Sequence, residues 1–128
     1  LNKEGIFNNY KYIINIVNKE DKNINTNPDF EFLDWDRLVD QKLQIRLWEK
    51  GDIFQPLGMK GHQKLSDFLI NEKINRIEKE AQTVITADGK IFWVCGRRIA
   101  DWVKITKNTK QRATISRKAK QLDYEQPS

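Results

Sequence analysis

The chain has 128 residues, 38% hydrophobic and 32% charged, with a formal net charge of +5, which fits one globular domain able to bury a core. A single cysteine, Cys95, excludes an internal disulfide and a cysteine-rich zinc site, and leaves a reducing, cytoplasmic setting as the default expectation. No apolar run approaches the ~20 residues of a membrane-spanning helix and no signal peptide is visible, so no membrane partner is expected.

Tyr10, Tyr12, Ile14 and Ile16 alternate with Lys11, Ile13, Asn15 and Val17, which predicts a strand over 10–17. Asn18 to Asp29 is polar, contains Pro28 and reads as a surface loop. A second strand is expected over Phe30 to Leu33, then a turn or short helical piece at Asp34-Trp35-Asp36, then a strand over Leu43 to Trp48. Gly51 to Gly61 holds three glycines, Pro56 and the single methionine, Met59, so it is expected to be a loop. A chain that starts elsewhere than at a methionine fits a fragment or a processed protein. Ser66 is expected to cap a helix over 66–73, with Leu65, Phe68 and Leu69 as its apolar stripe. Ile74 and Ile77 extend the spacing toward Glu80, and Asn75 is the residue that would break it. Asp88-Gly89 between Thr83–Ala87 and Lys90–Cys95 predicts a hairpin with a type I′ turn. A further strand is expected over Trp102 to Thr106, and fraying from Gln121. Without a βαβ rhythm, the expected class is α+β: mostly antiparallel strands with one main helix.

Charge is unevenly spread. Residues 1–45 carry 6 Lys/Arg against 8 Asp/Glu, and residues 46–128 carry 17 against 10. Lys104, Lys107, Lys110, Arg112, Arg117, Lys118 and Lys120 follow one another without an acid between them. Such a gradient favours a polyanion through phosphate neutralisation and counterion release, beside the plainer reading of a solvated basic face.

Catalytic signatures are missing. The glycines match neither G-x-G-x-x-G nor the Walker A loop. His62, Ser66 and Asp67 supply the residue types of a triad without a nucleophile elbow. Cys95, beside Trp93 and Val94, reads as a small buried hydrophobe. No catalytic, metal or cofactor residue is therefore expected. Lys60, His62 and Lys64 interleave with glycine just ahead of the helix N-terminus, where free N–H groups suit a phosphate; Lys73 and Arg76 lie further along, and Arg97 and Arg98 follow the hairpin.

The stretch Gly51-Asp52-Ile53-Phe54-Gln55-Pro56-Leu57-Gly58-Met59-Lys60-Gly61 is distinctive. With Lys64-Leu65-Ser66-Asp67-Phe68-Leu69, Lys73-Ile74-Asn75-Arg76, Ile91-Phe92-Trp93-Val94-Cys95-Gly96-Arg97-Arg98-Ile99 and Val103-Lys104-Ile105-Thr106, it closely resembles the C-terminal domain of tRNA(Ile)-lysidine synthetase, over about residues 43–110. The resemblance implies a fold shared with a domain of the phenylalanyl-tRNA synthetase β chain. It implies a parent ligase that converts the wobble cytidine of an isoleucine tRNA to lysidine with ATP and lysine. The chemistry would belong to an N-terminal PP-loop domain of the same polypeptide, whose Ser-Gly-Gly-x-Asp-Ser signature is nowhere in this chain. This domain would hold the tRNA on its acceptor-stem side. The family often has Pro where Asn75 stands and near Gln82–Thr83; without them the helix exit and the next strand's start are expected to be less rigid.

Three segments are expected: 1–42 as a lead-in of the same domain, 43–112 as the tRNA-binding core, and 113–128 as a basic, frayed tail. The expected tRNA-contacting residues are Lys60, His62, Lys64, Lys73, Arg76, Arg97 and Arg98. A protein-interaction module without RNA affinity and a small hydrolase using His62 and Asp67 are the alternatives, and oligomeric state is left open.

Overall fold

The computed structural model describes residues 2–17 and 27–120. In chain order the strands are β1 Asn2–Phe7, β2 Tyr10–Val17, β3 Phe30–Asp34, β4 Leu43–Leu47, β5 Ile53–Phe54 and β6 Gln63–Lys64. Helices α1 Leu65–Asn71 and α2 Arg76–Glu80 follow, then β7 Thr83–Ala87, β8 Lys90–Val94, β9 Arg98–Ile99 and β10 Arg112–Ala119. Two four-stranded antiparallel sheets form, with orders β1-β2-β10-β3 and β4-β7-β8-β9, and β5 pairs with β6. This is the expected α+β class.

The second sheet is packed on both faces. Toward the first sheet it presents Ile85, Ala87, Trp93 and Cys95 against Tyr12, Ile14, Ala113 and Ile115. On its other face Val84, Ile91 and Val94 meet Leu65, Phe68 and Leu69 of α1 and Phe54 of β5. Burial pushes the Cys95 thiol up to about 12, so it packs as an inert apolar group.

Both tight turns obey backbone sterics. Asp88 and Gly89 take φ of +47° and +84°, the positive values that a type I′ turn requires. Asn8 and Asn9 do the same at +51° and +70° and join β1 to β2. Strand β1 escaped the sequence reading because an Asn-Asn turn is a weaker signal than Asp-Gly. The piece at Trp35–Arg37 is a 3-10 turn as expected, with the Asp34 side chain accepting from Asp36 N–H. The loop expected over 18–29 lies outside the described residues up to 26, as does the segment from 121.

Three expectations need correction, and the break expected at Asn75 is found. The strand expected over Trp102 to Thr106 is a 3-10 turn, Asp101–Val103, followed by irregular chain. Asp101 N–H donates to Gln55 O at 2.8 Å, which diverts the backbone from the sheet ladder. The helix begins at Leu65, so Lys64 holds the cap position and Ser66 caps nothing; no side chain does. Periodicity toward Glu80 breaks into α2, which Asn75 caps by accepting from Glu78 N–H at 2.8 Å. The buried Gln82 amide donates to Thr83 O and to Cys95 O, each at 2.9 Å. Side-chain hydrogen bonds thus stand at both joints. Finally, the stretch expected to fray from 113 is β10 as far as Ala119, and it lies between β2 and β3.

Two stability measurements follow. Gly89→Val places a β-branched residue at φ +84° with nothing within 4 Å to clash, so conformational strain alone should cost about 1–3 kcal/mol, read as a lower denaturation midpoint. An unchanged midpoint would show that the turn tolerates L-residues. The second concerns Glu31 on β3, which pairs with Ile115 on the core-facing side. Burial pushes its carboxyl from an ordinary 4.5 up to about 7. A raised pKa means that the folded state holds the proton longer, so this stabilisation is full below pH 4.5 and lost as pH rises through about 7. Melting temperature should fall across that window, and Glu31→Gln should remove part of the fall; an identical pH profile would refute the assignment.

Candidate nucleic-acid interface

Pairing of Ile53 with Lys64 and of Phe54 with Gln63 closes residues 55–62 into a loop. Gly58 and Gly61 take φ of +80° and +76°, which a side chain resists. The loop is pinned to β9 and to the segment that follows it. Gly58 N–H donates to Asp101 Oδ1 at 3.1 Å and Leu57 N–H to Ile99 O at 3.1 Å. Within the loop, Gln55 Nε2 donates to Met59 O at 2.7 Å. The Gly58 N–H foremost, with Lys104 beside it and against some desolvation, holds the Asp101 carboxyl below its ordinary value.

Arg98 ties this loop to α1. Its guanidinium carbon lies 5.6 Å from the Phe68 ring centroid, and its Nη1 lies 3.9 Å from Met59 Sδ. Lys60 adjoins Met59, and Lys64 lies one turn before Phe68. Positions 60, 64 and 98 therefore share one flank of the domain. Lys60 and Lys64 are exposed and Arg98 is half-buried. None of the three is in an ion pair among the described residues.

The other expected residues are placed differently. Arg97 turns away from Arg98, with Nη2 3.3 Å from Glu78 Oε2 and Nε 3.4 Å from Gln82 Oε1. It lines a small cavity of about 240 Å³ with Tyr10 and Arg117. Arg97 sits in the turn that precedes β9, with its N–H donating to Val94 O at 2.9 Å, and its guanidinium faces Glu78 and Gln82 while that of Arg98 faces Met59 and Phe68, so the two do not converge. Arg76, almost wholly exposed, pairs with Glu80 at 3.5 Å. Lys73 is exposed and closes α1 in the left-handed region at φ +57°. His62 is exposed and lines a cleft of about 460 Å³ between the glycine loop and the β7–β8 turn. Helix α1 offers no phosphate seat at its start, because it is seven residues long and Leu65 N–H donates to Asp52 O at 2.8 Å.

The hairpin also positions two residues that sequence reasoning missed. Lys90 Nζ sits 4.8 Å from the ring centroid of Trp102, and both line the His62 cleft. The available signal was the Asp88-Gly89 turn, which puts Lys90 at a hairpin tip. Part of the 104–120 basic run is structural: Arg117 Nε donates to Asp29 Oδ1 at 2.7 Å, and its guanidinium lies 4.2 Å from the Tyr10 ring centroid. Among the described residues no three metal-binding side chains cluster, and no helix is long and apolar enough to cross a membrane.

Residues 43–115 match the model of the TilS substrate C-terminal domain family. The chain is 41% identical over 88 residues to a tRNA(Ile)-lysidine synthase of Parabacteroides distasonis, covering 69% of this chain and 20% of that protein. It is 35% identical over 106 residues to one of Caldanaerobacter subterraneus subsp. tengcongensis, covering 83% of this chain and 22% of that protein. The chain thus spans about a fifth of the length of these curated relatives. A crystal structure of a TilS C-terminal domain superposes with a TM-score of 0.71 at 23% identity, covering 87% of this chain and 85% of that one, which shows a shared fold.

Asp101 should govern the loop locally. Asp101→Ala removes the acceptor of Gly58 N–H, and hydrogen exchange at that amide should quicken by about fivefold or more while β8 amides stay protected. Because the Asp101 carboxyl is held low, the same loosening should appear in the wild type only as pH falls below the ordinary aspartate range. Unchanged exchange at Gly58 would show that the loop is held by other contacts.

Proposed function

This chain belongs to the TilS substrate C-terminal domain family, and on that premise we propose that it is the non-catalytic, tRNA-holding domain of a longer tRNA(Ile)-lysidine synthase. The observation that carries the reading is the flank formed by Lys60, Lys64 and Arg98 around a pinned glycine loop, without carboxylate partners among the described residues. A-form RNA offers phosphates, 2′-hydroxyls and shape to such a surface more than readable base edges. Unpaired cations on a preformed surface neutralise phosphates without first breaking a protein ion pair. In this reading the longer protein makes lysidine at the wobble cytidine of an isoleucine tRNA, using ATP and lysine in a separate catalytic domain of the same polypeptide. This domain turns over no ATP alone and works in the cytoplasm without a membrane partner.

We assign the domain to the acceptor-stem side of the tRNA, as its resemblance to the synthetase family implies. Physical economy supports a second attachment point far from the anticodon. A weak contact there makes binding at the anticodon effectively intramolecular, raising residence time without touching the chemistry. Modest affinity and little base reading are what that task requires.

The test is the salt dependence of tRNA binding. Each true phosphate contact contributes just under one unit to the slope of log affinity against log salt. Lys64→Ala and Arg98→Ala should each weaken binding and flatten that slope by about one unit. Arg97→Ala and Arg76→Ala, whose wild-type side chains pair with Glu78 and Glu80, should do less. Lys11→Ala, on the first sheet beside Glu4, should do neither. If Lys64→Ala and Arg98→Ala leave affinity and slope unchanged in folded protein, the assigned face is wrong. Salt-insensitive capture of a protein partner without RNA affinity would favour an interaction module.

A further inference from the structure

The cleft between the glycine loop and the β7–β8 turn takes no part in the phosphate contacts proposed above. Its volume, about 460 Å³, falls within the range of small-ligand sites. Phe54, Ile91 and the Trp102 indole supply its apolar lining. The indole is fixed in place. Its Nε1 donates to Ile91 O at 2.9 Å, and its ring meets Phe92 edge-on with centroids 6.5 Å apart. One indole face carries the Lys90 ammonium, 4.8 Å from the centroid. Lys90 is exposed, so that face is reachable from solvent, and a flexible lysine yields it at small cost.

The charges around the cleft narrow the ligand. Arg46 donates two hydrogen bonds of 3.0 Å to Asp52 and neutralises it. Asp88 also lines the cleft. Its Oδ1 accepts only the Lys42 backbone N–H, at 2.8 Å, and it has no cationic side chain as partner among the described residues. A phosphate inside would meet this uncompensated carboxylate. A neutral planar heteroaromatic ring would instead meet an aromatic face, with His62 at the rim to hydrogen-bond its edge.

The geometry points to a slot for one unpaired nucleobase of the bound RNA, stacked on Trp102 in place of the Lys90 ammonium. This rests on the RNA-binding reading and deepens it. Bases inside a duplex are already stacked on their neighbours, so the occupant comes from a single-stranded end, loop or bulge. Lys90, once displaced, and Lys64 of the adjoining β6 are then available to the phosphates flanking that base.

Three RNAs test the slot on the intact chain at one ionic strength: a blunt duplex, the same duplex with a short single-stranded extension, and the same extension made abasic. The two extended RNAs carry equal charge and differ only in bases. The extended RNA should bind about tenfold more tightly than its abasic counterpart. Trp102→Leu should bring the two to equal affinity while leaving the blunt duplex unaffected. The abasic comparison needs no variant, so it stands even if Trp102→Leu fails to fold. Equal affinities for the two extended RNAs in the wild type would overturn the slot and leave the phosphate-contacting face intact. A base preference that survives Trp102→Leu in folded protein would also overturn it. Failure of the wild type to bind any of these RNAs or the intact tRNA would remove the RNA-binding reading, and the slot with it.

Discussion

Everything in this domain depends on burying the β7–β8 hairpin on both of its faces. All five residues of β7 and all but Lys90 in β8 are buried. A hairpin in that position needs side chains of the right size toward two cores at once, and one residue of slippage would exchange them. The bulge settles the register: Ile85 pairs with Trp93, and Thr86 pairs with Ile91. Phe92 is the extra residue between them, so Phe92 and Trp93 both serve the core shared with the first sheet. Ile91 and Val94 are left for the core under α1. The same element aims the candidate interface. Its turn carries Lys90, and its far end continues through Gly96 into Arg97 and Arg98.

A second constraint joins the two ends of the chain. β10 enters the first sheet between β2 and β3, and acidic side chains of the N-terminal half receive it. Thr109 Oγ1 donates to Asp34 Oδ2 at 3.0 Å; the Lys110 and Gln111 N–H groups donate to the Asp36 carboxylate at 2.7 and 3.1 Å. Arg117 then meets Asp29. The opposite charge of the two halves of the sequence is thus partly an internal complement. Gly96 belongs to this joint as well, because it sits at φ +75° where a Cβ would collide with Arg117.

What the sequence disclosed follows the range of the interactions concerned. The Asp88-Gly89 turn is a matter of local backbone sterics and could be read directly, as could the apolar stripe Leu65, Phe68 and Leu69. β10 could not. Its inward residues are only Ala113 and Ile115 among Arg112, Arg117 and Lys118, and the partners that make it a central strand lie about 80 residues earlier, at Asp29 and Asp34. The helix start was misplaced because Ser66 is a good local cap, whereas the Leu65 N–H bond to Asp52 O depends on the β5–β6 pairing. At the candidate site, motif and resemblance singled out positions 60, 64 and 98, and the contacts of Arg98 with Met59 and Phe68 bring them to one part of the fold. That Arg97 is drawn to Glu78 depends on where α2 packs, which spacing does not encode.

For a chain with 23 Lys/Arg, net charge alone does not locate a polyanion site. What discriminates among the cations is their present company. A guanidinium already facing a carboxylate must give up that partner, or share it, before it serves a phosphate, so its net contribution to binding shrinks. Arg76, Arg97 and Arg117 are in that condition. Arg98 instead rests on the Phe68 ring and beside a thioether, contacts that orient it without neutralising it. Its guanidinium keeps its charge for a ligand while losing little conformational freedom on binding. An oriented arginine without a carboxylate partner among the described residues, beside exposed Lys60 of the pinned loop and exposed Lys64 of β6, is therefore a stronger pointer to a phosphate track than the longer run of cations from Lys104 to Lys120, in which Arg117 is committed to closing the fold.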